Sequence, residues 1–224
     1  MIARLLLQNA VWTAGMALLL LAPAGTLRWP QAWVFLATIA ALGIGCGLYL
    51  AKTDPALLRE RMRPPVQDDQ PAADKAFVAA FGFAALMWFL LMGLERRAGR
   101  AGMPLPIEAT GWGLILLSTL VIMAALRANS FAVPVIRLQQ DRQQQVVDHG
   151  PYALVRHPMY SGVALFFLGM PLLLGSRWGL AMVPLLIALF AIRTVIEERA
   201  LRQGLPGYAD YAARVRYRLA PGLW

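Results

Sequence analysis

Residues 158–196, PMYSGVALFFLGMPLLLGSRWGLAMVPLLIALFAIRTVI, contain two apolar runs, Met159 to Leu174 and Trp178 to Ile196, parted only by Gly175, Ser176 and Arg177. So short a spacer returns the chain on itself, which makes the two runs the arms of a helical hairpin. At about 1.5 Å per residue the first arm reaches roughly 24 Å, less than the hydrocarbon core of about 30 Å. The expectation is a deep hairpin whose first arm falls short of a full crossing.

Upstream lie four more runs, Leu5 to Ala22, Gln31 to Ala51, Ala76 to Leu94 and Gly111 to Leu126, each close to the ~20 residues that cross a bilayer. The 224 residues are 59% hydrophobic and only 15% charged, with mean hydropathy +0.56, too apolar for a soluble domain of this length. The fold class is therefore an all-α integral membrane protein: four transmembrane helices in residues 1–127, then a C-terminal region, 128–224, built from a loop, the hairpin 158–196 and a tail. Leu5 to Ala22 also resembles a secretory leader, with Arg4 before it and Ala22-Pro-Ala24 after it, but its length favours a retained span.

The net charge of +9 raises nucleic acid as a partner, and its distribution argues against that. Sixteen of the 21 Lys and Arg fall at the N-terminus, in 52–75, in 127–156 and from Arg193 onward; the rest are Arg28, Arg96, Arg97, Arg100 and Arg177. That asymmetry is the positive-inside pattern, placing both termini and the 52–75 and 127–158 loops in the cytoplasm, with membrane lipids as partners. Gly43-Ile-Gly-Cys-Gly47 lies inside a span with no strand before it, so it reads as a helix-packing surface and not a dinucleotide loop. Cys46 is the single cysteine, and His149 and His157 have no cysteine near them to complete a zinc set, so no metal is expected. With no charge in the spans except Arg193 near an end, a transporter or channel is disfavoured.

Chemistry concentrates after residue 127. The stretch from Ala128 to His157, about thirty residues without a span, is long for a connector, and its glutamines read either as a solvated interfacial segment or as a hydrogen-bonding wall. Gly150-Pro151 marks a turn, and Pro158 suits the first turn of a helix, with His157 at its entrance. The free amides of such a helix start would suit an electron-rich ligand; the plainer reading makes Arg156 and His157 interface anchors. Arg193 and Glu197 share a helix face at i, i+4. Because the hairpin is antiparallel, Gln144 to Tyr152, Arg156 to Tyr160 and Arg193 to Glu198 should converge on one cytoplasmic mouth, half wet and half greasy.

GPYALVRHPMYSG at 150–162, RTVIEERAL at 193–201 and GYADYAARV at 207–215, in that order, resemble the integral membrane methyltransferases that include isoprenylcysteine carboxyl methyltransferase and the phospholipid methyltransferases. The resemblance covers roughly residues 128–221. It implies S-adenosyl-L-methionine as cofactor, bound without a Rossmann domain beneath a C-terminal cofactor-covering segment. By position it implies cofactor-binding roles for Gln144, Gln145, Val146, Val147, Tyr152, His157, Pro158, Met159, Tyr160 and Glu197, with Arg193 facing the acceptor. The family's upstream glutamine falls at Arg137, with Gln139 close by, and is left unassigned.

A sulfonium donor is already activated, so the protein's task is alignment and exclusion of water. An ionised carboxylate needs no base, whereas an amine or thiol must lose a proton. Glu198, His157 and Tyr160 are the candidate bases and none stands out, which favours the carboxylate of an isoprenylcysteine-like acceptor, a lipophilic or lipidated substrate. A phospholipid amine or small thiol stays open as acceptor, and a non-catalytic membrane scaffold as the reading of another class. Tyr208, Tyr211, Arg214, Arg216 and Arg218 suit both an interfacial basic helix and, by the resemblance, a lid; Trp224 suits an interfacial anchor.

Overall fold

The computed structural model describes residues 1–68 and 70–224, and among these no strand occurs. Eight α-helices follow one another: α1 (Ile2–Ala24), α2 (Pro30–Thr53), α3 (Pro55–Arg61), α4 (Ala72–Arg97), α5 (Leu105–Ala128), α6 (Pro158–Leu173), α7 (Arg177–Gly204) and α8 (Tyr208–Arg214). Two 3₁₀ turns, Gln140–Arg142 and Gly150–Ala153, interrupt the long loop before α6. Five helices, α1, α2, α4, α5 and α7, are long and apolar enough to cross a membrane, while α6 has only 16 residues.

Local chemistry sets the boundaries. Proline begins α2, α3 and α6, where its missing N–H would be unpaired in any case. Asp54 caps α3 by accepting from the Leu57 amide at 2.9 Å, and Ser176 caps α7 by accepting from the Gly179 amide at 2.9 Å. The second arm outruns its apolar stretch: α7 continues past Ile196 through Glu197, Glu198, Arg199, Ala200 and Leu201, all good helix formers. That polar extension carries the carboxylates toward the loop and tail.

The bundle has two distinct ends. At one, Arg4 Nη2 donates to Met62 O at 3.0 Å, Arg61 Nη1 to Ala132 O at 2.8 Å and the Ile136 amide to Asp74 Oδ2 at 2.9 Å, which gathers the N-terminus and both long loops. At the other, Arg96 Nη2 donates to Arg28 O at 2.9 Å and Gln31 Nε2 to Glu108 Oε2 at 3.0 Å. The charge asymmetry of the sequence is thus an asymmetry of the fold. The hairpin tip belongs to the second end: the Gly102 amide donates to Gly175 O at 2.8 Å and Ser176 Oγ to Glu95 Oε2 at 2.5 Å. The short first arm therefore reaches the far loops, and its shortfall lies at the His157 end.

Small residues bring the arms close to the rest of the bundle. A Cβ on Gly169 would stand 2.7 Å from Gly111 O, and one on Gly162 would stand 3.0 Å from Ser118 O, so α5 and α6 meet backbone to backbone. Gly43 and Gly47 of α2 instead receive the side chains of Asn9 and Leu5 of α1, a helix-packing surface as the sequence predicts; Gly45 faces open space. Between α4, α6 and α7 sits an aromatic cluster: Phe190 makes edge contacts with Phe77, Phe81, Tyr160 and Phe167 at centroid distances of 5.2 to 5.4 Å. Leu7, Val11, Trp12, Phe83 and Leu120 point outward and exposed, the all-round apolar character of helices solvated by lipid.

Candidate functional site

At the end that gathers the long loops, a cavity enclosing about 820 Å³ of empty space, its open mouth included, lies between the 129–147 loop, the start of α6, the polar extension of α7 and α8. Its walls include Gln144, Gln145, Val146, Val147, Tyr152, His157, Met159, Tyr160 and Glu197, residues that sequence alone places on three separated segments. Pro158 does not line it; buried under the helix start, it fixes the direction in which His157 and Met159 leave.

Among the described residues, Glu197 is the one carboxylate on the cavity wall. Tyr160 Oη donates to its Oε2 at 2.6 Å, and the Tyr160 ring stacks on His157 with centroids 5.5 Å apart and planes 5° from parallel. His157 Nδ1 stands 3.7 Å from Glu197 Oε2 and Nε2 stands 3.3 Å from Glu198 Oε1. Both imidazole nitrogens thus face carboxylates, so the ring is held as a wall and is poorly placed to take a proton from a ligand.

Glu198, one residue on, turns about 100° around the helix and leaves the cavity. Its Oε1 accepts from Arg156 Nε at 2.6 Å and its Oε2 from Arg218 Nε at 3.2 Å. Arg156 is buried and also donates from Nη1 to Val215 O at 2.6 Å and Arg216 O at 2.8 Å. Glu198 is the hub that ties hairpin to tail, and the candidate role of a base does not suit it. Arg193 does not reach the cavity either. It stands 3.3 Å from Asp74 Oδ1, donates to Pro134 O and lies 4.7 Å from the Phe77 ring centroid. Just before α6 the Arg156 and His157 amides donate to Tyr217 O and Arg218 O, both at 2.9 Å, and within its first turn the Tyr160 and Ser161 amides donate to His157 O at 3.0 and 3.2 Å.

Several wall residues carried no signal as site residues in the sequence. Asn129, Phe131, Val135, Ile136, Ala200, Leu201 and Leu205 join the lining, as do Tyr208 and Tyr211 of the tail. Gln139 is fully buried behind the wall, its amide donating to Gln144 Oε1 at 2.8 Å and its Nε2 to Phe131 O at 2.8 Å, so it shapes the glutamine segment without facing the cavity. Arg137 does line it, its Nη2 2.7 Å from Glu60 Oε2. Tyr211 Oη donates to Tyr152 O at 2.8 Å, whereas the buried Tyr208 Oη has no hydrogen-bond partner among the described residues. Burial pushes the Tyr152 phenol up to about 12 and those of Tyr208 and Tyr211 above their ordinary value, so all three are neutral donors at working pH. No group of His, Cys, Asp and Glu among the described residues is arranged to hold a metal.

Together these features define a helical membrane protein with a polar, tyrosine-lined ligand cavity at one end of its bundle. Residues 107–206, from α5 through α7, match the model of the phospholipid methyltransferase family. Two curated rice proteins, from Oryza sativa subsp. indica and subsp. japonica and each named "Probable protein-S-isoprenylcysteine O-methyltransferase", are 33% identical to this chain over 95 residues. The match covers 42% of this chain and 50% of theirs, so the chain spans about half the length of the curated relatives it matches.

Proposed function

We propose that the chain is an integral membrane methyltransferase that uses S-adenosyl-L-methionine and acts on the carboxylate of an isoprenylcysteine-like acceptor, with its active site facing the cytoplasm. The observation that carries this reading is the pairing of Glu197 with an orphaned buried hydroxyl, Tyr208 Oη, across a cavity walled by tyrosines and glutamines. A buried phenol without a partner is costly unless a ligand supplies one. The residues present suit the cofactor. Glu197 would hold its ammonium or ribose hydroxyls, Gln144 and Gln145 offer amide groups to its polar edges, and the faces of Tyr152, Tyr160 and Tyr208 would attract its sulfonium. Val146, Val147 and Leu201 supply apolar wall for a planar base. When bound, the cofactor supplies an activated methyl group on a cationic sulfur.

The chain's own part is to orient and to exclude water. Glu197 is fixed by Tyr160, and Tyr160 by its stacking on His157, so the carboxylate is pre-organised. The loop wall and α8 close the cavity on the side away from the spans. With Glu197 committed to the cofactor, both nitrogens of His157 facing carboxylates, Glu198 tied to Arg156 and Tyr160 donating to Glu197, none of the candidate bases is free to deprotonate an amine or a thiol. An acceptor already ionised at neutral pH therefore fits best. The cytoplasmic orientation is supported by the positive-inside distribution of charge around this end.

The test is binding of S-adenosylhomocysteine, the demethylated product, to detergent-purified protein, followed by transfer of labelled methyl to a prenylcysteine analogue. Micromolar binding with transfer to the carboxylate is expected. A folded protein that binds neither donor nor product refutes the reading, and transfer to an amine headgroup in place of the carboxylate refutes its acceptor.

A further inference from the structure

Arg193, the cation that the resemblance assigns to the acceptor, is enclosed by Asp74, Phe77 and Pro134. If the acceptor is anionic, its head needs another partner. Arg61, the last residue of α3, is set differently. Its Nη1 donates to Ala132 O at 2.8 Å and lies 3.6 Å from Met159 Sδ, and both Ala132 and Met159 line the cavity that holds Glu197. On its other side Arg61 lines a second and larger cavity, about 1,870 Å³ with its open side included, bounded by α1, α2, α5 and α6. Arg61 and Met159 thus form a shared wall between the two spaces.

The second cavity is amphiphilic along its length. Its depth is lined by Leu42, Ile122, Leu126, Val163 and Phe166, and its near end by Arg4, Arg61 and Arg63, with no carboxylate on its walls among the described residues. Arg63 is paired with Glu60 at 3.1 Å, and Arg4 is turned to Met62 O. Arg61 has no ion-pair partner among the described residues. A cation withdrawn from water without a counter-charge is unfavourable, and an anion placed against it relieves that cost. Serving merely as a loop clamp for Ala132 O would not explain why the guanidinium sits at the junction of a greasy groove and a polar cavity with no carboxylate beside it.

We propose that this groove is the tail site of the acceptor and that Arg61, in place of Arg193, holds the acceptor's carboxylate beside Met159. The inference rests on the methyltransferase reading and deepens it, because it fixes which side of the cavity the acceptor enters from. The head of a prenylcysteine seated at Arg61 lies against the wall that Met159 shares with Glu197's cavity. Its tail lies among the apolar side chains of α1, α2, α5 and α6, and the groove's open side gives the tail lateral access from lipid.

The experiment compares wild type, Arg61→Gln, Arg61→Lys and Met123→Trp, the last to fill the groove, by S-adenosylhomocysteine affinity, melting temperature and KM for a prenylcysteine analogue. A second arm measures competition by the matching prenylcysteine carboxamide, which lacks the charge. Expected is a tenfold or greater rise in KM for Arg61→Gln, partial rescue by Lys, and product affinity within twofold of wild type. Wild type should prefer the carboxylate over the carboxamide, and Arg61→Gln should lose that preference. Met123→Trp should raise KM for a long-tailed analogue more than for a short-tailed one. Unmoved KM and retained carboxylate preference in Arg61→Gln, with wild type still binding product, overturns the assignment of Arg61 alone. A folded wild type that binds no product overturns the methyltransferase reading itself.

Discussion

Glu197 and Glu198 are adjacent in sequence, and their structural settings predict opposite phenotypes. Glu198→Ala removes the carboxylate that Arg156, Arg218 and His157 share at 2.6, 3.2 and 3.3 Å, and Arg156, 4% exposed at its side chain, cannot turn to water. Breaking a buried pair from one side costs about 3–5 kcal/mol, and for a chain of this length that lowers the melting temperature by roughly 6–20 °C. Glu197 is different: its side chain is 27% exposed and faces the cavity, and a glutamine there can still accept from Tyr160. Glu197→Gln should leave the melting temperature within about 3 °C, a change of less than about 1 kcal/mol. On the proposed reading it removes a charge-assisted contact worth about 1.5–3 kcal/mol to the cofactor, a loss of roughly 12- to 140-fold in affinity. Differential scanning fluorimetry in one detergent, paired with calorimetric titration of S-adenosylhomocysteine, reads both quantities on the same samples. If Glu198→Ala melts with wild type while Glu197→Gln unfolds early, the division between tether and ligand contact is wrong.

Tyr208→Phe deletes the orphaned hydroxyl, so the ligand-free protein should melt no lower than wild type, while affinity for S-adenosylhomocysteine falls by roughly 2- to 12-fold, the worth of one neutral hydrogen bond; an unaltered affinity would mean the hydroxyl faces no ligand atom. Gly169→Ala drives a Cβ to 2.7 Å from the Gly111 carbonyl, and since backbone on both sides cannot yield cheaply, a loss of about 1–3 kcal/mol should appear as a lower melting temperature. The pH dependence follows from the tyrosines. Burial raises Tyr152 to about 12 in the folded protein, above about 10 for an unfolded tyrosine. Deprotonation therefore occurs first in the unfolded chain, and the stability contributed by the neutral phenol is complete below pH about 10 and lost as pH rises toward about 12. Melting scans across that window should show a decline that is shallower in Tyr152→Phe.

How much of this was legible before the structure depends on how local each signal is. His157 and Glu197 meet because a hairpin with a three-residue turn fixes which residues lie opposite, so their encounter is written in the length of two apolar runs. Gln144 to Val147 were recognisable by motif order, and the fold explains it: buried Gln139 holds Gln144 by its backbone amide. Arg193 is the residue whose surroundings the sequence hid. Its partner Asp74 sits in the first turn of α4, where an acid reads simply as a helix-start residue, and nothing near either position signals that they pair. Arg61 was hidden for the opposite reason, being one of several cations in a loop whose basicity is fully explained by topology. Tyr208 and Tyr211 were visible as tail tyrosines, but whether they faced lipid or ligand depended on how the tail folds back, which is fixed by Arg156 and its carbonyl partners.

Two of the buried ion pairs, Arg193 with Asp74 and Arg156 with Glu198, have a common geometric purpose. Loop 129–157 and the tail 215–224 are the parts of the site least supported by helix-on-helix packing, and each is fastened to the hairpin by one charge. Arg193 grips Pro134 O while facing Asp74, and Arg156 grips Val215 O and Arg216 O while facing Glu198. Such pairs are weak sources of net stability, because desolvation offsets most of their attraction. They do fix direction, since a guanidinium offers several donors in one rigid plane. With the far tip of the hairpin anchored at Gly102 and Glu95, a first arm of only 16 residues leaves its His157 end recessed within the bundle. A full-length arm would carry His157 out past Asp74 and Arg61. The cavity floor would then lose its common wall with the lipid-facing groove, and an amphiphile could no longer reach both at once.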